Sequence, residues 1–94
     1  MMDDLRISNL RFTPAGPHDR QSGLLGWVAL DLGDALHIDG VTVRRTRDGR
    51  LALSWPARRD STGHLHHHIK PLNDRVRRHL EQQVFTLLGQ EVTP

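Results

Sequence analysis

Five arginines and one lysine crowd a single stretch of this 94-residue chain. Arg58 and Arg59 follow Trp55-Pro56-Ala57, Lys70 precedes Pro71, and Arg75, Arg77 and Arg78 lie almost side by side. Guanidinium is a planar fork of donors that matches phosphate. The chemistry on offer is therefore recognition of a phosphodiester backbone. Phosphate contacts supply most of the affinity and little sequence information. On a helix Arg75 and Arg78 share a face, whereas Arg77 turns about 160° from Arg75. The competing reading is a solvated helix face in which Arg77 pairs with Glu81.

His64, His66, His67 and His68 form a second cluster. On a strand His64, His66 and His68 would point to one face and His67 to the other. Zinc accepts imidazole nitrogen. However, the outer pair of such a row stands about 13 Å apart, too far for one tetrahedral ion. The expectation is partly exposed polar histidines beside a basic surface, with no bound metal. Free histidine gains a proton near pH 6.5, so mild acidification would strengthen an anion-binding surface.

No catalytic constellation accompanies these groups. The aspartates fall mostly at turns and termini, where they serve local hydrogen bonding. Ser8, Ser22, Ser54 and Ser61 lack a nucleophile-elbow context. There is no Gly-rich phosphate loop and no cysteine. The expectation is a protein that is not an enzyme and has no cofactor and no small-molecule substrate.

The elements that must position the arginines are readable from pattern. Ninety-four residues suggest one domain, 1–94. Leu5–Phe12 reads as a strand, and about 13–23, with two prolines and two glycines, as a turn or mobile loop. In Leu24–Leu32, Val28, Leu30 and Leu32 alternate with Trp27, Ala29 and Asp31. Gly33-Asp34 reads as a two-residue hairpin turn. Ala35–Ile38 and Val41–Thr46 follow as strand, interrupted by a turn or bulge at Asp39-Gly40. Asp48-Gly49 reads as a type I′ turn into Arg50–Trp55, which Pro56 ends. The loop after Pro56 is expected to project Arg58 and Arg59. His64–Ile69 is a short strand candidate.

The last element is helical. Asn73 or Asp74 can cap it, Val76, Leu80, Val84 and Leu87 or Leu88 make its stripe, and Gly89 stops it. Residues 90–94 read as a tail. The order predicts an α+β fold: an antiparallel β-meander of about five strands packed by one long C-terminal helix. Trp27 and Trp55 are expected in the core or at a subunit interface, with base stacking as the alternative. A short meander leaves sheet edges that a second subunit would cover.

Charge is unevenly spread. Residues 1–40 hold three Arg against six Asp, a balance of −3, and residues 41–94 hold ten Lys and Arg against five acids, a balance of +5. Twelve of the thirteen basic residues are Arg, which fits phosphate binding and equally fits a GC-rich coding genome. No apolar run approaches the ~20 residues needed to cross a bilayer, and no signal peptide is visible. A cytoplasmic protein without membrane contact is expected.

Three segments carry a resemblance. The first is Gly26-Trp27-Val28-Ala29-Leu30-Asp31 with Leu36-His37-Ile38-Asp39-Gly40-Val41-Thr42-Val43. The second is Leu53-Ser54-Trp55-Pro56-Ala57-Arg58-Arg59. The third is His68-Ile69-Lys70-Pro71-Leu72-Asn73 with Arg75. In order and spacing the chain resembles the stage V sporulation protein G (SpoVG) septation-regulator family from about Ile7 to Val84. Trp55, Ala57, Arg59 and Lys70 stand where that family usually has Met, Ser, Lys and His. The resemblance implies a small homodimer that binds DNA and RNA and acts as a non-catalytic regulator. The residues alone also allow a protein-interaction module whose basic helix docks an acidic partner, or a metal-binding protein using the His cluster.

Overall fold

The computed structural model describes residues 5–89. The expected tail at 90–94 and the acidic start of the chain lie outside them. The fold is α+β, with elements in the order β1 (Ile7–Pro14), α1 (Pro17–Gln21), β2 (Leu24–Leu32), β3 (Leu36–Arg45), β4 (Leu51–Ser54), β5 (Ala57–Arg59), β6 (Leu65–His67) and α2 (Asp74–Leu88). The strands form an antiparallel four-stranded meander, β1-β2-β3-β4, and a separate β5-β6 hairpin, instead of one sheet of about five strands. Pro56 is the physical reason: it has no N–H for the β4 ladder, so the chain leaves that sheet and pairs with itself again beyond.

Alternation on β2 buries Val28 and Leu30 and leaves Trp27 outside. Together with Leu25, Val41, Val43 and Leu53 they face Leu80, Val84 and Leu88 of α2. Each such side chain, fully buried, contributes about 1.5–3 kcal/mol. Leu88 lies in this core and Leu87 is 54% exposed, which settles the end of the helical stripe. Asn73 caps the helix, its Oδ1 accepting from Val76 N at 3.0 Å. Gly26 is required for a different reason: a Cβ there would lie 2.4 Å from Thr13 O and 2.6 Å from the Phe12 ring.

Both long hairpins use three-residue loops, where the sequence pointed to two-residue turns. Thr46 N donates to Arg50 O, and Gly49 N to Thr46 O, with Gly49 at φ +84°. Asp60, Gly63 and His64 repeat this arrangement between β5 and β6. In these two loops a glycine at the third position supplies the positive φ that lets the loop close, whereas the Gly33-Asp34-Ala35 loop between Leu32 and Leu36 carries its positive-φ glycine first. Asp39-Gly40 is a bulge inside a continuous β3, seen as a register shift against Val28 and Leu30.

The segment read as a turn or mobile loop contains a short helix. β1 runs on to Pro14, Ala15 N donates to Leu25 O, and Pro17 starts a short helix closed by Ser22 and Gly23 bonding back to Asp19 and Arg20. The physical reason is that Pro in the first helical turn costs no hydrogen bond, so it starts this helix instead of breaking it.

The long helix also ties down the sheet edges. Gln83 accepts from Ile7 N at 2.9 Å and donates to Leu5 O at 2.8 Å. Glu81 Oε2 accepts from Leu53 N on β4 at 3.2 Å. Ile7 N and Leu53 N look outward from edge strands, so side chains of α2 stand in for the missing neighbour strand.

Candidate nucleic-acid interface

Arg58 and Arg59 belong to β5 itself, not to a loop beyond a strand end. The register Arg58↔His66, Arg59↔Leu65 and Ala57↔His67 sends the two arginines to opposite faces of the hairpin. The face carrying Arg59, Leu65 and His67 looks across an open groove of about 590 Å³ toward Thr42, Arg44 and Ser54. Thr42 and Arg44 lie on β3 and Ser54 on β4. His68 and Trp55 also line it, and no carboxylate does among the described residues. Arg59 donates to Gly63 O at 2.9 Å, which braces its guanidinium and leaves most of its donors free. The Trp55 indole is 8% exposed, and its N–H has no acceptor among the described residues.

Arg44 is the groove residue that sequence reasoning missed. A signal existed. Val41 and Val43 point inward, so Thr42 and Arg44 must point outward, and Arg44 then faces Ala52, which leaves its side chain room. What the strand pattern lacked was the hairpin that comes to lie opposite.

The remaining candidates separate. Arg58 is exposed on the other face of the hairpin, beside His66. Lys70 is exposed in the connection to α2, and Arg75 and Arg78 are exposed on its first turns. None of these four, nor Arg44 or Arg59, forms an ion pair among the described residues. Arg77 differs. Its Nη1 donates to Glu81 Oε1 at 2.9 Å and its Nε approaches Asp74 Oδ1 at 3.4 Å. It serves as counterion to a buried carboxylate, the competing role seen in the sequence.

The histidines do not share one strand face. β6 spans only Leu65–His67, too short for the alternation to run from His64 to His68. His68 joins His67 at the groove. His66 and His64 instead gather on Asp60. Asp60 Oδ2 meets His66 Nε2 at 2.7 Å, while Oδ1 accepts from Thr62 N, Thr62 Oγ1 and His64 N. Among the described residues no three His or acidic side chains converge as a metal site would require.

The hydrogen bond from the Thr62 hydroxyl, followed by that from His66, holds the Asp60 carboxyl far below its ordinary value of 3.8. A carboxyl depressed by folding stabilises fully above its unfolded pKa, and the contribution fades as pH falls below about 4. The β5-β6 turn is therefore expected to loosen on acidification below about pH 4. Asp60→Ala should reproduce that loosening at neutral pH. Hydrogen exchange at the Thr62 and His64 amides checks it: unchanged protection in the variant contradicts the role given to Asp60.

No protein-family model matches this chain, and no curated protein matches it. Among the described residues no helix is long and apolar enough to cross a membrane.

Proposed function

We propose that the chain is a homodimeric, non-catalytic nucleic-acid-binding regulator of the septation-regulator type. One observation carries the reading: a groove lined by Arg44, Arg59, His67 and His68 with no carboxylate among its described lining residues. Four further cations without an ion pair among the described residues, Arg58, Lys70, Arg75 and Arg78, lie on the hairpin, connection and helix that follow. Such a surface meets the repeating charge of a phosphodiester backbone at several points, and each meeting displaces condensed counterions. DNA and RNA both present that backbone. The resemblance of the Leu53–Arg59 and His68–Asn73 segments to the SpoVG family supports the same ligand.

The homodimer rests on apolar surface and an edge. Leu72 is 89% exposed immediately before α2. Beyond Ile7, β1 is an edge strand with no neighbour on its outer side among the described residues.

An electrophoretic titration with duplex DNA and single-stranded RNA at two salt concentrations tests the ligand. Micromolar binding whose logarithmic salt slope is about −2 or steeper is the expected result. Binding to neither at low salt refutes the reading and moves an acidic protein partner ahead. Light scattering tests assembly: the expected mass is twice 10.7 kDa.

A further inference from the structure

α2 covers one face of the four-stranded sheet and, among the described residues, the middle of the other face is left open. On that open face Thr13, Trp27, Thr42 and Ser54 stand directly opposite one another across all four strands. Trp27 is therefore in the middle of the sheet, yet it is 37% exposed, whereas Val28 beside it is 1% exposed. Its row neighbours are small hydroxyl side chains, and Ala29 follows two residues along, so no bulky side chain of the row screens the indole. Thr42 and Ser54 of the same row also line the cationic groove, as does Arg44, two residues beyond Thr42 on β3. The open face and the groove are one continuous surface.

The carboxylate at one end of that surface is already engaged. At the far end Asp31 is engaged by Asn9 Nδ2 at 2.7 Å and His37 Nδ1 at 2.8 Å. At the groove end Arg44 is free of carboxylates among the described residues. Arg11 on β1, opposite Ala29, is a second exposed cation of this face, so a polyanion crossing Trp27 meets guanidinium groups on both sides of the indole, with Arg44 at the groove. From strand spacing and rise, the Cα atoms of Trp27 and Arg44 are about 8 Å apart. Long side chains on that spacing reach a base and a neighbouring phosphate of one strand.

We propose that this open face is a platform for single-stranded nucleic acid: an unpaired base stacks on Trp27 while Arg44 holds the adjoining phosphate at the mouth of the groove. The inference rests on the nucleic-acid reading above and narrows its ligand. A duplex keeps its bases stacked on each other and offers none to the indole. A single strand does, and aromatic stacking accepts any base. Sequence-tolerant binding of unpaired segments follows.

The test uses the full chain with a labelled oligo(dT) and with a duplex of mixed sequence. Trp27→Leu keeps apolar bulk without the π-face, and Trp27→Phe keeps a smaller π-face. Trp27→Leu should weaken oligo(dT) binding about 10-fold, shift duplex affinity by less than about twofold, and be largely rescued in Trp27→Phe. In the wild type, oligo(dT) should quench the tryptophan emission, and the quenching should vanish in Trp27→Leu, where Trp55 alone emits. Equal oligo(dT) affinity in wild type and Trp27→Leu overturns the inference, as does saturating oligo(dT) binding without quenching. A Trp27→Leu protein with half the wild-type mass in light scattering also overturns it, by assigning Trp27 to the subunit contact. Duplex binding with Trp27 silent toward oligo(dT) defeats this inference alone. Binding of neither ligand defeats the nucleic-acid reading as well.

Discussion

Replacing Arg44 and Arg59 together with alanine lowers duplex affinity at low salt by about 10-fold or more and reduces the log–log salt slope by about 1–2. The two guanidinium groups stand on opposite walls of the groove, one on β3 and one on β5. Every phosphate that no longer meets a guanidinium takes about 0.9 off the slope, so slope and affinity must fall together. The fold should survive, because both residues are exposed and neither makes an ion pair among the described residues. Arg59 gives up one bond to Gly63 O, while Asp60 still holds the same turn through four bonds. Arg75→Ala with Arg78→Ala should weaken binding in the same manner if the nucleic acid also crosses the first turns of α2. Arg77→Ala should leave the slope unaltered, because its charge is already committed to Glu81. A folded Arg44–Arg59 double variant with wild-type affinity and slope would remove the groove from the mechanism.

Glu81→Ala should cost about 2–3 kcal/mol of stability, the largest effect expected from any single polar residue here. Its carboxylate is buried, accepts from Leu53 N at the outer edge of β4, and neutralises Arg77. Alanine leaves the Leu53 N–H without its acceptor and strips Arg77 of its nearer partner. The Arg77 side chain is 43% exposed and keeps Asp74, so the stranded cation turns to water and the full buried-pair cost does not apply. For a domain of this length the loss corresponds to a fall in Tm of about 10–20 °C. Glu81→Gln retains an acceptor for Leu53 and should cost only about 1 kcal/mol. Thermal melting of the two variants checks this, and a Tm for Glu81→Ala within about 2 °C of wild type would contradict the edge-capping role.

The α+β meander and its helix were legible because their signals are local. Val28 and Leu30 alternate with Trp27 at the strand period, and Val76, Leu80 and Val84 recur at the helical one. The Asn73 cap and the Gly89 stop are short-range chemistry too. Turn lengths were less legible. Asp48-Gly49 marks a hairpin in either geometry, and only the Thr46–Arg50 bond shows that three residues lie between the paired ends. The fate of Trp27 and Trp55 was open for the same reason. Alternation says that each has a face, but not what covers that face.

Residue order alone was enough for the class of fold, the strand order of the meander, the helix with its buried stripe, and the excess of arginine in the second half. Those follow from interactions between residues a few positions apart. Which arginines share a site depended on the folded molecule. Arg44 and Arg59 meet only because Pro56 releases the chain from β4 and the new hairpin settles beside the sheet. The pairing of Arg77 with Glu81, four residues on, was legible as an alternative, but the bond that ties the same Glu81 to Leu53 N, 28 residues back, was not. Such pairings depend on where whole elements pack, and packing is set by the shared core and not by the spacing of charges along the chain.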